Sequence, residues 1–506
     1  MMAKKGIIYS VLTIFSVSIF SKIIGFFREM ALANYFGTSL SIDMYYFSYG
    51  VFFALSSIVG ASIGLGYIST HGRNKKLFGE KWLDKSFESF NYTLCISLLI
   101  SVLFFVFSKS VASMVAGNYS LEELSILSDY IKINSLAFFF QSLSFFLISI
   151  LNAEKRFGIG ELAGVVYSIV VLSTLFLFYH QYGIDAIIYS FLISSIVTFI
   201  TLYGVVYGYK YKITSVNFKT NSIISLSTLV GSSMIYIGQI YDRTIATNLS
   251  EGSLSALNYS GNIHSLVNTF LIISVVNVIY SEFVSIDKDR DDFLHKINAL
   301  FNNSISVFIV ILLPVSLFLF AFSQYIVSIV FERGAFNNES VVMTSDVFKM
   351  YVIGTVFFAI NNLSVRLFYS LNDRKLPIIT GIAFLLLNML ICYVFSNYWG
   401  VSGISLAVSI TGICSTIVLI SFLASKYRIF LESRVYVDVV KVSIFCLLAY
   451  LILDYTMQCI ELDGIGKIQT SAYLAIMFMI YIASYLLYCL VLNVSVVRNF
   501  ARGLIR

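Results

Sequence analysis

Apolar runs of about 20 residues recur from Ile7 to about residue 492, each separated from the next by a short connection. A run of that length carries a helix across roughly 30 Å of hydrocarbon. In lipid the backbone must satisfy its own hydrogen bonds, so only helices and closed barrels span. A transmembrane barrel shows short segments that alternate polar and apolar residues, and these runs do not alternate. With 58% hydrophobic and 12% charged residues, no stretch is left for a sizeable soluble domain. The expected class is an all-α polytopic membrane protein. The first run follows Lys4-Lys5, is longer than a signal-peptide core and lacks a small-residue cleavage site, so it is expected to stay as a mature helix.

Fourteen transmembrane helices are expected, roughly at 7–36, 42–70, 87–108, 126–153, 160–181, 184–208, 222–248, 257–283, 299–322, 344–371, 377–396, 400–425, 437–458 and 470–492. Alternate connections differ sharply in Lys and Arg: 23 fall on the side of the N-terminus, against only Lys109, Arg333 and Lys467 on the other. By the positive-inside rule both termini are expected in the cytoplasm. The six cysteines have no paired spacing and read as inert thiols rather than disulfides or metal ligands.

The chain also repeats itself. Arg28-Glu29 and Asp242-Arg243 are charged pairs set late in the first and seventh runs, 214 residues apart. At the same offset Asn34 matches Asn248, Ser39-Leu40-Ser41 matches Ser253-Leu254-Ser255, and Tyr45 matches Tyr259. At an offset of 220, Leu151-Asn152 matches Leu371-Asn372, Lys155 matches Lys375, and Gly183-Ile184 matches Gly403-Ile404. The expected architecture is therefore two six-helix lobes in a parallel pseudo-twofold repeat plus a C-terminal two-helix hairpin. Its boundaries fall at 1–214, 215–434 and 435–506.

Charges inside a span are costly and normally mark a cavity or a pathway, so the twin pairs point to transport. Stepping about 100° per residue puts Ser18, Lys22, Gly25 and Glu29 on one face of the first helix, with Ser21 and Arg28 beside them. The seventh helix carries Ser225, Thr228, Ser232, Gln239, Asp242 and Arg243 on a similar stripe. The twin pairs serve either to neutralise each other or to line a cavity. Lys22 has no carboxylate one turn away, which favours an anion site over packing. In the tenth helix Arg366, near Asn361 and Asn362, is either a cavity residue or part of an interhelical network. Asp43 opens the second helix, where a cap is the rival reading. His264 reads as a hydrogen-bonded packing residue, and Glu332-Arg333-Gly334 as a gate or a turn. No phosphate-binding loop, zinc-type His-Glu-x-x-His or nucleophile elbow occurs, so neither a cofactor nor enzymatic chemistry is expected.

Three stretches, 21–49, 241–266 and 329–378, resemble the MurJ/MviN family of lipid II flippases in the multidrug/oligosaccharidyl-lipid/polysaccharide exporter superfamily. Phe331-Glu332-Arg333-Gly334-Ala335-Phe336 and Leu371-Asn372-Asp373-Arg374-Lys375 with Pro377 carry the resemblance most specifically. It implies a bacterial cytoplasmic-membrane flippase that moves an undecaprenyl-pyrophosphate-linked saccharide by alternating access, with Lys22 and Arg28 as cavity cations and Asp43 as the aspartate opening helix two. Its partners would be that lipid-linked cargo, the bilayer and a coupling ion, with no nucleic acid. The family's Pro-Asn and arginine pair in helix two are replaced here by Val51 to Ser57, and Gly261-Asn262 stand where an Asp-Arg often occurs. The substrate-binding set is accordingly read as Lys22, Arg28, Glu29, Asp43, Asp242, Arg243, Asn262 and Arg366. Lipid II is the leading cargo, and an O-antigen or capsule repeat unit on the same carrier is the alternative. A cation-coupled drug exporter would need an acidic cavity, and a polysaccharide polymerase or ligase a larger outer loop.

Overall fold

The computed structural model describes residues 2–79, 82–212, 214, 218–286, 292–459 and 466–498. All regular structure among them is helical. In chain order the helices are α1 (Met2–Phe36), α2 (Leu40–Ser56), α3 (Ser62–Phe78), α4 (Trp82–Val106), α5 (Ser108–Val115), α6 (Leu121–Ala153), α7 (Phe157–Tyr182), α8 (Asp185–Tyr207), α9 (Phe218–Thr247), α10 (Ser253–Val267), α11 (Ser274–Ser285), α12 (Phe293–Ala321), α13 (Ser323–Phe331), α14 (Asn338–Ile353), α15 (Thr355–Ser370), α16 (Lys375–Tyr427), α17 (Ser433–Cys459) and α18 (Lys467–Val491). Ten helices among the described residues are long and apolar enough to cross a membrane, or eleven if α14 and α15, bent by 44° at Gly354, make one span. The 53-residue α16 is itself two helices broken at Gly400.

The duplication is visible in backbone detail. Leu40–Phe78 and Ser253–Ser285 are each one helical run interrupted by a π-turn, at Ser57–Ala61 and Asn268–Ile273. Such a turn inserts an extra residue into the helical ladder and is often kept at functional places. The short helices α5 and α13 both follow a phenylalanine that breaks the helix, Phe107 at φ −93°, ψ 16° and Phe322 at φ −101°, ψ 17°. α6 and α15 end alike: Lys155 (φ 59°) and Asn372 (φ 62°) adopt the left-handed conformation that terminates helices. Gly183 (φ 52°, ψ −125°) and Gly400 (φ 55°, ψ −139°) then join the next two helices of each half. These last two pairs are both 217 residues apart. The identities at 220 thus lie in a neighbouring register, and Gly403 sits inside a helix instead of at the joint. A slip of three residues is close to one helical turn and keeps the same face, which is why the sequence tolerates either alignment.

The chain forms two compact units, Met1–Ser255 with Arg333–Phe336, and Ala256–Glu332 with Asn337–Arg506. In the first, α6 is the central helix; it packs on α2, α4, α7 and α8. It begins in a capping box, with Ser120 Oγ accepting from the Glu123 N–H at 3.3 Å and Glu123 Oε2 from the Ser120 N–H at 2.7 Å. In the second unit an apolar core of α11, α12, α15, α16 and α17 is extended by Tyr485 and Cys489 of α18. Tyr485 and Tyr481 donate hydrogen bonds to the carbonyls of Val310 and Pro314. The Pro314 ring leaves the α12 ladder short of a donor, and the carbonyls around it take tyrosine hydroxyls instead. Among the described residues the cysteines are unpaired; Cys459 has no described side chain.

Candidate functional site

The charged pair of α1 closes on itself. Adjacent residues leave a helix about 100° apart, yet the Arg28 side chain swings back. Its Nη2 and Nε donate to Glu29 Oε1 at 2.6 and 3.2 Å. The two side chains are only 14% and 4% exposed. The guanidinium carbon lies 5.5 Å from the Tyr167 ring centre and 6.0 Å from that of Tyr49, within cation–π range. Glu29 Oε2 accepts a hydrogen bond of 2.8 Å from the Tyr46 hydroxyl. Lys22, two turns earlier, is exposed, and no ion pair or hydrogen bond holds its ammonium among the described residues. The polar stripe of α1 is therefore divided into an open end at Lys22 and a neutralised, aromatic-walled end at Arg28 and Glu29.

Tyr46 of α2 touches both charged pairs of the repeat. Its hydroxyl serves Glu29, and its carbonyl accepts from Arg243 Nη1 at 2.9 Å. Glu29 and Arg243 are the repeat-equivalent positions, so one residue bridges the two copies. Gly50, one turn on, makes room: a Cβ there would lie 2.3 Å from the Arg243 guanidinium carbon. Asp242 is half-buried beside it, and Gln239 is exposed. The side chains of Ser225, Thr228 and Ser232 lie outside the described residues.

At the far end of α1 a compact knot forms from four chain segments of the first unit. Asp43 stands in the first turn of α2, but it caps a different helix. Its Oδ2 accepts from the Gly252 N–H at 2.8 Å and its Oδ1 from the Ser255 N–H at 2.7 Å, at the start of α10. Glu251 reciprocates, with Oε1 accepting from the Leu40 N–H of α2 at 2.8 Å. Each of two helix starts related by the repeat is thus capped by a carboxylate from the other's segment. Gly37, at φ +57°, ends α1, and Asn34 O accepts from the Ala335 N–H at 2.9 Å. Asn248, the repeat partner of Asn34, donates from Nδ2 to Val115 O at 2.8 Å and accepts on its carbonyl from Asn118 Nδ2 at 3.1 Å.

In the second unit Arg366 places its guanidinium 5.3 Å from the Tyr280 ring centre. Asn262 donates to the Asn258 carbonyl of its own helix at 2.9 Å. Asn361 bonds Ser415 at 2.9 Å. His264 is buried, hydrogen-bonded to Thr355 and Asn268 and stacked on Tyr351, which is a packing role. An apolar groove of about 610 Å³ runs between α17 and α18, lined by Leu448, Ile452, Met477, Ile480 and Leu487 among others. Among the described residues no group of three or more side chains is set to hold a metal ion.

The structure brings Arg28, Glu29 and Arg243 together through Tyr46, and it sets Asp43 apart in the knot. Sequence reasoning missed Tyr46, Tyr49, Tyr167, Gly50 and Glu251. The one available signal was Gly50, a lone residue without a side chain in the bulky run from Tyr45 to Phe53.

A profile described as lipid II flippase MurJ matches residues 32–463. A probable lipid II flippase MurJ from Borreliella burgdorferi is 25% identical over 468 residues, 90% of this chain and 89% of that protein. The lipid II flippase MurJ of Thermosipho africanus is 24% identical over 416 residues, 82% and 85% of the two chains. A solved structure of lipid II flippase MurJ in an inward closed conformation superposes with a TM-score of 0.81 at 23% identity, covering 97% of this chain and 99% of that one. The fold is shared throughout, and with the profile spanning most of its length the chain belongs to the lipid II flippase MurJ family.

Proposed function

We propose that this protein flips lipid II across the bacterial cytoplasmic membrane. It makes and breaks no covalent bond. Family membership over residues 32–463 is the observation that carries the reading. The groove on α17 and α18 supports it, since its apolar walls suit an isoprenoid chain. Lys22, exposed on a helix of this family, is the cation we assign to the pyrophosphate. Arg28, Glu29, Asp242 and Arg243 form the charged frame beside it; Asp43, Asn262 and Arg366 are the other residues of the proposed set.

Fourteen spans, two six-helix lobes over 1–214 and 215–434, and the hairpin at 435–506 belong to the same proposal. So do cytoplasmic termini, inferred from the Lys and Arg bias. The knot at the end of α1 then faces outward, and Asp43 caps α10 as part of the outer closure. An ion gradient, the membrane potential or the cargo's own gradient supplies the driving force. The departures at Val51 to Ser57 and Gly261-Asn262 keep an O-antigen or capsule unit on the same carrier as the second reading.

The test is purified protein in vesicles, with lipid II or a lipid-linked O-unit loaded in one leaflet and its appearance in the other followed. Lipid II should cross faster than in empty vesicles, and Lys22→Ala should slow it at least tenfold. Transport of the O-unit alone overturns the cargo assignment; transport of neither overturns the flippase reading.

A further inference from the structure

A second apolar groove, of about 470 Å³, opens within the second compact unit between α12, α16 and α17, beside the bend that joins α14 to α15. It uses another face of α17 from the groove shared with α18: Val435, Val439 and Cys446 line this one, Phe445, Leu448 and Ile452 that one. On α12 the lining runs from Ile305 to Phe320, about 22 Å at 1.5 Å per residue, so the groove lies lengthwise along the spans. The Thr416 hydroxyl in its wall is already spent, donating to the carbonyls of Phe357 and Gly412 at 3.0 and 2.8 Å.

The groove calls for hydrocarbon. α12, α16 and α17 are long and apolar enough to cross a membrane, and the rim residues Ile417 and Tyr436 are exposed, so the opening meets lipid. A wall with nothing packed on it forfeits its dispersion contacts on that side. Benzene fills a dry cavity of about 150 Å³, roughly 25 Å³ per carbon, so this groove takes about 19 carbons. That is one fatty acyl chain and little more. The much longer isoprenoid carrier would leave most of its chain outside.

One end of the groove also has the makings of a headgroup site. Leu431 closes it there, on the linker between α16 and α17, and two asparagines of α12 pin that linker. Asn298 Oδ1 accepts from the Phe430 N–H at 3.0 Å. Asn302 donates from Nδ2 to Phe430 O at 2.9 Å and accepts on Oδ1 from the Glu432 N–H at 2.8 Å. The pinned linker leaves Phe430 exposed beside Tyr436, the aromatic pairing usual where a span meets the headgroups. Two arginines flank it. Arg434 gives only its Nε to Glu432, at 2.7 Å, and the side chain of Arg428 has no ion pair or hydrogen bond among the described residues. Lys426 is taken up by Asp373 at 2.7 Å, which leaves the two guanidinium groups as the open positive charge of the linker. Basic pockets between spans take anionic lipid headgroups, and guanidinium forks match phosphate.

We propose that this groove binds an anionic phospholipid of the bilayer, with one acyl chain laid between α12, α16 and α17 and the phosphate held by Arg428 and Arg434. The chain packs on Ile353 and Val356, either side of the Gly354 bend, so the lipid braces that bend. The site is separate from cargo recognition and does not depend on the flippase reading.

The experiment uses the full chain in phosphatidylcholine vesicles doped with phosphatidylglycerol that carries a photoactivatable acyl chain. A phosphatidylcholine probe with the same chain is the control, and labelled peptides are mapped by mass spectrometry. Phosphatidylglycerol label should concentrate on 305–320, 416–420 and 435–446, at least fivefold above the control probe. Arg428→Gln with Arg434→Gln should bring it down to the control level. Ile417→Trp, a filling change at an exposed rim position, should clear the groove of label from both probes. Equal labelling by the two probes in the parent overturns the headgroup assignment, and label spread evenly over the spans overturns the site. Label displaced by unlabelled undecaprenyl phosphate more readily than by unlabelled phosphatidylglycerol overturns the occupant.

Discussion

Replacing Glu29 with Gln tests whether the α1 pair is a structural ion pair or a cargo site. The carboxylate accepts two bonds from Arg28 and one from Tyr46, with both charged side chains largely out of solvent. At about 4 Å and an effective dielectric of about 20 the attraction is roughly 4 kcal/mol. Removing one member of such a pair strands the other charge and costs about 3–5 kcal/mol. The amide retains an acceptor oxygen and the side-chain volume, and the Arg28 cation keeps its two aromatic neighbours, so the expected loss is at the low end, about 3 kcal/mol. The combined variant Arg28→Met, Glu29→Leu removes both charges and fills the space, and should lie within about 1–2 kcal/mol of the parent because no stranded charge remains. Thermal unfolding in detergent ranks the three proteins: parent, then the double variant, then Glu29→Gln lowest. Lipid II transport by the double variant separates the roles. A stable double variant that transports normally makes the pair structural, and a stable but inactive one makes Arg28 part of cargo recognition. A Glu29→Gln protein that unfolds within a degree of the parent refutes the burial argument.

Four further outcomes follow from the same geometry. Gly50→Ala drives a methyl into the Arg243 guanidinium and should cost about 1–3 kcal/mol by unfolding; adding Arg243→Ala should restore part of it. Asp43→Ala removes both caps at the start of α10, a loss of about 0.5–2 kcal/mol, and hydrogen exchange at Gly252 and Ser255 should quicken; unchanged exchange contradicts the cap. At the other end of the first unit burial pushes the Glu154 carboxyl up, but hydrogen bonds from Lys75 and His71 outweigh it and hold the group below the usual carboxylate range. Its contribution is present above about pH 4.5 and fades as pH falls further, so the unfolding gap between parent and Glu154→Gln should shrink below about pH 4. Gly183→Ala and Gly400→Ala should each cost about 1–3 kcal/mol, since both need a backbone conformation open almost only to glycine.

What the sequence revealed and what it concealed divide along the distance over which the physics acts. The helical class follows from run length alone, because lipid leaves the backbone no other solution. The duplication was legible for a similar reason: Arg28-Glu29 and Asp242-Arg243 are conspicuous in an apolar background. Register was not, because helices tolerate a slip of three residues; the left-handed backbone at Lys155, Asn372, Gly183 and Gly400 resolves it. The Gly354 bend, which divides an expected continuous helix at 344–371, carries no proline to announce it.

The largest difference concerns polar side chains. Helical phase groups Lys22, Arg28 and Glu29 on one stripe but says nothing of what stands opposite. Opposite Arg28 stand Tyr49 and Tyr167, and opposite Glu29 stands Tyr46, so the stripe ends in an internal ion pair and only its Lys22 end is open. Asp43 makes the same point at a helix start. A first-turn aspartate signals a cap, and the structure has a cap, but the amides belong to Gly252 and Ser255, more than 200 residues away. Local sequence rules give the chemistry of such a group without its partner. Here the partner lies in the other copy of the repeat: Asp43 caps the start of α10, and Glu251 caps the start of α2.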